Sequence, residues 1–331
     1  MAELSHEQLV LMLKKKKAPV HVRIGRSVWA DRHFLPMMLP AAVCLIIWSY
    51  LPMPGVLIAF QQMSFASPNF FVNLFNPRAW VGLDQFMAYL DSPNLWLTLR
   101  NTLSYNIAFL VTGTVGGVFL AIAATELWNK RIAKLYQSVL IFPAFLSWVI
   151  ISYILFSLLG TFGVFNTFLT DWGMQPVAWY AQGDMWPFLL PALNLWKGVG
   201  LGSIFYFAAI SSIDQEMYES AALDGASRIK QIWHITLPFL KPTIIVLTIL
   251  ALGGIIRTDF GLFYVATREM GGGMLYESTV TIDVFTFSQL RSRGNLPLAT
   301  AVGLMQSLVG LLMIIGVNLI VRKVDKESAM F

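Results

Sequence analysis

Charge is scarce in this chain. Asp, Glu, Lys and Arg make up 12% of its 331 residues while 56% are hydrophobic, against about a quarter charged in a soluble domain. The mean hydropathy of +0.65 reflects the same imbalance. A water-facing surface of this size needs about twice that charge, which excludes the soluble globular, disordered and fibrous classes. Cysteine is nearly absent: Cys44 stands alone, with no partner for an internal disulfide and too few thiols for a cysteine-based zinc site. The histidines His6, His21, His33 and His234 are few and scattered, so no metal or haem cluster is expected within a bilayer. No Gly-x-x-x-x-Gly-Lys-Ser/Thr run is present to cradle a nucleotide phosphate. His6-Glu7 lacks a second histidine four residues on, and no Gly-x-Ser-x-Gly occurs. No catalytic residue, no metal and no nucleic-acid partner is therefore nominated. What remains is an integral membrane protein.

Long charge-free stretches are what the chain does have: Phe34–Pro77, Asn101–Thr125, Leu135–Thr170 and Gly294–Val321. Two more stretches are interrupted internally, Met185–Ile213 by Lys197 and Pro242–Thr267 by Arg257 and Asp259. About 20 apolar residues cross a bilayer core of about 30 Å. The spacing predicts an all-α fold of six transmembrane helices near 34–53, 101–125, 135–159, 187–210, 242–265 and 298–321. Pro52-Met-Pro-Gly55 is expected to stop the first helix. The polar, turn-rich 61–96 region then reads as an external segment, with a re-entrant hairpin as its alternative.

Basic residues set the orientation. Of the 23 lysines and arginines, 16 fall in segments 1–33, 126–134, 211–241 and 322–331. On the other side lie Arg78, Arg100, Arg268, Arg291 and Arg293, with Lys197 and Arg257 inside spans. This positive-inside bias predicts that both termini are cytoplasmic. The expected organisation is a basic segment 1–33, a transmembrane domain 34–321 and a cytoplasmic tail 322–331. The run Lys14–Lys17 lacks the layout of a secretory signal. It either attracts anionic lipid headgroups or serves only as a disordered orientation signal.

The connection 214–238, between the fourth and fifth spans, is helix-like and not loop-like. Asp214 suits a helix N-cap, Gly225 a tight bend, Ser227 a second cap, and Pro238 a stop before the next span. Ile229, Ile232 and Trp233 form one apolar stripe. Around the bend, Ala221, Ala222, Gly225 and Ala226 are nearly bare, and Glu219 and Asp224 supply polar handles. Such a knuckle suits another protein's groove, or packs only against its own bundle.

Glu219-Ser-Ala221, three residues, Gly225, nine residues, then Ile235-Thr-Leu237-Pro238 resembles the EAA loop of binding-protein-dependent ABC importer permeases. Ser220 departs from the usual alanine. Tyr218 and Asp224-Gly225-Ala226 resemble the form common in carbohydrate permeases. Segments at Trp80–Phe86, Arg100–Leu103 and Trp196–Gly200 are similar to carbohydrate-uptake permeases. Arg257–Gly261, Ser278–Asp283 and Glu327–Phe331 are similar to the LplB-like oligosaccharide branch. The resemblance implies a type I importer permease in a bacterial cytoplasmic (inner) membrane. It implies an ATPase-coupling role for Tyr218, Glu219, Ala221, Ala222, Asp224, Gly225 and Ala226. Its implied partners are a second homologous permease, an ABC ATPase dimer, an extracytoplasmic solute-binding protein and a carbohydrate. ATP and Mg would belong to the ATPase and no cofactor to this chain.

Charges inside spans are costly and usually face a bundle or wet cavity. Lys197, Arg257 and Asp259, with Trp196 and Tyr264 as stacking faces, are candidates to line the translocation path. In the alternative, Arg257 and Asp259 neutralise each other and Lys197 snorkels to the interface. An ion-coupled secondary transporter would use the same three charges, but the sequence shows no internal repeat with paired broken helices. Trp172, Trp179, Tyr180 and Trp186 read as an interfacial belt.

Overall fold

The computed structural model describes residues 35–62, 72, 75–127, 130–268 and 273–324. Six helical stretches among them are long and apolar enough to cross a membrane: Met37–Phe60, Pro93–Thr125, Trp148–Asp171, Gly183–Ser211, Arg228–Gly253 and Leu296–Lys323. The number of spans is the expected one. Several of the bounds are not. Segment 1–33, most of 63–74 and residues 325–331 lie outside the described residues, and with them the basic run and much of the re-entrant alternative.

The chain divides into two compact units, Met1–Val56 and Leu57–Phe331. In the first, an α-helix over Leu35–Leu45 passes into a π turn over Ile46–Tyr50, closed by the Leu51 N–H donating to the Ile46 carbonyl at 2.8 Å. The α-helix ends before Pro52, as expected. The backbone then continues as a 3-10 helix from Met53 to Phe60, a geometry that tolerates the missing donors.

In the second unit, the second span starts at Pro93 rather than near 101, because proline suits a first helical turn whose donors are unpaired anyway. Arg100 does not interrupt it: its guanidinium donates to Asn101 Oδ1 and, at 3.4 Å, to the Glu277 carbonyl. The third span departs furthest. A single helix over 135–159 is not formed; Lys130–Ile141 gives way to a 3-10 turn at Phe142–Phe145, and a new helix runs from Trp148 to Leu159. Pro143 removes a donor and fixes the turn, and Ser147 Oγ restarts the helix by accepting from the Ile150 N–H at 3.3 Å. The fifth span is also displaced. Its helix runs Leu237–Gly253, and a turn through Gly254 replaces the expected continuation to 265, which resumes only as a π segment at Gly261–Ala266.

The second and fourth spans pair most extensively. Gly116 and Gly117 face Leu195, Val199, Ser203 and Tyr206, the small-residue contact that lets helices close up without solvent to drive them together. At Gly200 the fourth span meets the backbone of Leu140 and Ile141, so closely that an added Cβ would overlap the Leu140 carbonyl oxygen. One core gathers Tyr105, Leu155, Trp186, Leu190, Leu262, Phe263 and Phe285; a second gathers Ala121, Tyr206, Ile210, Ile213 and Leu240.

The tryptophan belt is largely overturned. Trp186 is 1% exposed and donates to the Trp179 carbonyl at 3.0 Å, while Trp179 Nε1 donates to Asn166 Oδ1 at 3.2 Å. Buried Asn166 closes this loop, donating to the carbonyls of Gly160, Thr161 and Val177 and accepting from the Val177 N–H. Burial pushes the Tyr180 hydroxyl up to about 12, against a lowering pull from Arg268. Of the four, only Trp172, 71% exposed, has the exposure of a belt residue.

The close approach at Gly200 is testable against Gly198, where an added Cβ meets nothing within 4 Å. Overpacking costs about 1–3 kcal/mol. Gly200→Ala is expected to lower the thermal unfolding midpoint in detergent by roughly 1–4 °C, and Gly198→Ala to leave it in place.

Candidate functional site

The 214–238 connection folds as a hairpin. Asp214 is its N-cap, with Oδ1 accepting from the Glu216 N–H at 3.1 Å, and the first helix is Gln215–Leu223. Gly225 has φ +78°, the left-handed conformation that disfavours a side chain. Its N–H donates to the Ala222 carbonyl at 3.0 Å, and the Ala226 N–H to the Ala221 carbonyl at 2.9 Å. This is a Schellman closure with glycine at C′. The bend and its first helix thus agree with expectation.

The second half differs. Ser227 stands at the N-cap position without a side-chain bond. Pro238 does not stop the helix. Arg228–Gln231 passes into a π segment at Ile232–Thr236 and directly into Leu237–Gly253. The Leu237 N–H bonds back to the Ile232 carbonyl, and this wider register relieves the clash a proline ring makes with the carbonyl four residues before it. The hairpin's second limb and the fifth span are therefore one continuous helix.

Three side chains hold the hairpin together. The hydroxyls of Tyr218 and Thr236 lie 2.9 Å apart in a hydrogen bond, and buried Gln231 donates to the carbonyls of Tyr218 and Ala226 at 3.4 Å. Tyr218 also packs against the core of Tyr206, Ile210 and Leu240. Outward, Leu223 is 90%, Ile229 69% and Trp233 66% exposed, beside exposed Glu219, Ala222 and Asp224; Ile232 turns half inward. An apolar surface rimmed by carboxylates is the composition of a protein contact.

The intramembrane charges meet at the two breaks. Lys197 does not snorkel. Its ammonium donates to the carbonyls of Leu146 at 2.7 Å and Ala144 at 2.9 Å, reaches that of Pro143 at 3.5 Å, and lies 5.4 Å from the Trp148 ring centroid. Trp148 Nε1 donates to Asp259 Oδ2 at 2.6 Å, and Asp259 Oδ1 accepts from the Gly261 and Leu262 N–H groups. Arg257 and Asp259 do not pair: the Arg257 guanidinium donates to Ser307 Oγ at 3.3 Å and is otherwise exposed. Tyr264 stacks on Phe260 at 4.8 Å with Phe287 edge-on to both, while exposed Trp196 joins none of them.

Other residues at this level were not singled out from the sequence. Asp283 accepts from the Thr258 N–H and hydroxyl and from Gln306 Nε2; Gln306 and Asn106 also donate to the carbonyls of Ile256, and of Ile255 and Arg257. For Asn106 and Gln306, a polar side chain within an apolar span was the available signal; Asp283 lies outside the spans.

A family model described as binding-protein-dependent transport system inner membrane component matches residues 113–326. The chain belongs to that family. Among relatives of this permease family, Protein LplB of Bacillus subtilis (strain 168) is 32% identical over 322 residues, 95% of this chain and 98% of that protein. The polygalacturonan/rhamnogalacturonan transport system permease protein YteP of the same organism is 28% identical, over 96% of this chain and 95% of its own length. Among solved structures, a chain of a bacterial alginate ABC transporter, in complex with alginate pentasaccharide-bound periplasmic protein, superimposes with a TM-score of 0.79. It is 28% identical, covering 92% of this permease and 99% of that chain. The resemblance carried by the Glu219–Pro238 motif is thereby confirmed at the level of the family, the fold and an inner-membrane location.

The capping bond gives a local test. Asp214→Ala removes the acceptor for the Glu216 N–H and is expected to destabilise the first hairpin helix by about 1 kcal/mol. Amide exchange over 215–223 should quicken while that of the spans stays unchanged.

Proposed function

We propose that this chain is one permease half of an ATP-driven importer that carries an oligosaccharide into the cytoplasm by alternating access. The observation that carries this is the rigidly closed hairpin with an exposed apolar face, continuous with the fifth span, in a chain that belongs to an importer permease family. Its termini and hairpin lie on the cytoplasmic side. The residues Tyr218, Glu219, Ala221, Ala222, Asp224, Gly225 and Ala226 seat in a separate ATPase dimer, which binds ATP and Mg. Movement of that seat displaces the helix running unbroken from Arg228 to Gly253. A second, homologous permease completes the pathway, and a solute-binding protein delivers the sugar on the opposite side. The names of the relatives, one a transporter of polygalacturonan and rhamnogalacturonan and one of alginate, support an oligosaccharide and make uronate-containing ones the first to test.

Arg257, Asp259, Trp196 and Tyr264 are the proposed path residues. An arginine exposed about midway along the spans costs at least about 2.5–3.5 kcal/mol against lipid, so its face belongs to a wet path or a partner subunit. Arg257 is such a residue: its partner Ser307 lies about 16 Å along the last helix from Leu296.

Copurification tests the coupling. A tagged Gly225→Asp chain puts a side chain at φ +78° on the contact face. It should lose the ATPase subunit and at least about tenfold of ATP-dependent uptake, a change of about 1.4 kcal/mol or more. Retention of the ATPase with full uptake would overturn the coupling role, and uptake driven by an ion gradient without ATP would overturn the importer reading. For the path, Arg257→Gln and Asp259→Asn should each change the half-saturating substrate concentration or rate by about tenfold at normal protein levels. Unaltered kinetics in both would remove them from the path.

A further inference from the structure

We propose that Lys197 is a positioning residue that clamps the breaks of the third and fifth spans to the fourth, so that three spans move as one block. Only its consequence for transport rests on the importer reading. The fourth span carries Gly200 and Lys197 three residues apart, on one helical face. Gly200 lets that face touch the backbone at Leu140 and Ile141. The contact brings Lys197 to the end of the interrupted helix, at the turn over Phe142–Phe145, whose Pro143 carbonyl also accepts from the Leu146 N–H. An ammonium has three N–H donors. Those of Lys197 have the carbonyls of Leu146, Ala144 and Pro143 before them, which leaves none for a sugar hydroxyl.

Trp148 extends the clamp. It begins the helix after the break, lies against the Lys197 ammonium, and donates its indole N–H to Asp259 in the break of the fifth span. Its ring also fills the space over Gly261, where any Cβ would overlap it. The positive and negative groups thus face one indole from two sides, and the indole belongs to a third helix. The fourth span enters the 214–238 hairpin and the fifth leaves it. A push on the hairpin reaches the breaks along both limbs, and the clamp keeps them in register.

The test uses the assembled transporter, with second permease, ATPase and binding protein, in liposomes supplied with oligogalacturonate and, in parallel, a neutral oligosaccharide of the same length. Lys197→Met is expected to lower the sugar moved per ATP hydrolysed by about tenfold while the half-saturating sugar concentration stays within about twofold. Lys197→Arg, which keeps donors for the carbonyls, should restore most of the loss. Amide exchange over 142–148 and over 254–262 in the detergent-solubilised complex should quicken together in Lys197→Met, and in Trp148→Phe over 254–262 alone. Unaltered coupling and exchange in Lys197→Met would overturn the clamp. So would a raised half-saturating concentration with coupling intact, which marks a substrate contact, or a Lys197→Arg chain that fails to assemble. The exchange readout needs no transport. A wild-type complex without ATP-driven uptake would therefore unseat the importer reading and leave the clamp to be decided by exchange.

Discussion

A backbone carbonyl inside a bilayer has no water to turn to, and that constraint governs this fold. An unbroken helix meets it automatically. Among the described residues, helix is lost at Phe142–Ser147, just before the span Trp148–Asp171, and at Gly254–Phe260, just after the span Arg228–Gly253, and at both places side chains from elsewhere supply part of what the helix gives up. Lys197 donates to the first. Asn106 and Gln306 donate to the carbonyls of Ile255, Arg257 and Ile256 at the second, while Asp259 and Asp283 accept its free N–H groups at Gly261, Leu262 and Thr258. The polar residues that look expensive in an apolar sequence are therefore, for the most part, backbone partners.

The hairpin and the fifth span form one stiff lever that ends at such a break. From the Schellman turn at Gly225 the chain runs as one helix to Gly253, with a π segment where Pro238 would otherwise have forced a kink. The Tyr218–Thr236 bond ties the first limb to the foot of that helix. Force applied at the bend is carried along the fifth span and arrives at Gly254, where the regular hydrogen-bond ladder stops. At Gly254 the rod ends in a turn whose Asp259 is tied to Trp148 and whose Thr258 is tied to Asp283, so the helices on either side of it are joined by side chains and not by the backbone ladder.

Much of this was legible in the sequence, and the limits are physical. Charge-free length counts spans well because hydrophobic thickness is fixed. The bend was legible because local rules set it: Asp214 caps by bonding two residues on, and Gly225 is required by its own φ. The break in the third span was not. A proline such as Pro143 can be tolerated, kink a helix or end it, and the outcome depends on Lys197, some fifty positions away in sequence. The tryptophans misled for a related reason: composition identifies amphipathic rings but not whether Asn166 and Trp179 will accept their N–H groups inside the protein. Gln306, well inside an apolar span, and Asp283, read only as the end of the segment Ser278–Asp283, were not picked out as backbone partners because each matters only through the break after the fifth span.

Once the backbone has claimed its partners, the remaining charge is informative. Lys197, Asp259 and Asp283 all have their polar atoms engaged within the chain. Arg257 does not: a guanidinium offers five donors, and one reaches Ser307. Asp259, two residues on, makes no ion pair with it and accepts instead from the Trp148 indole and the Gly261 and Leu262 amides. With its neighbours engaged, Arg257 is the charge at this level with donors to spare for a group outside the chain, and exposed Asp259 lies close to it in sequence. On the proposed path that outside group is the substrate or the second permease. A planar carboxylate matches the two parallel donors of arginine better than a lone hydroxyl does.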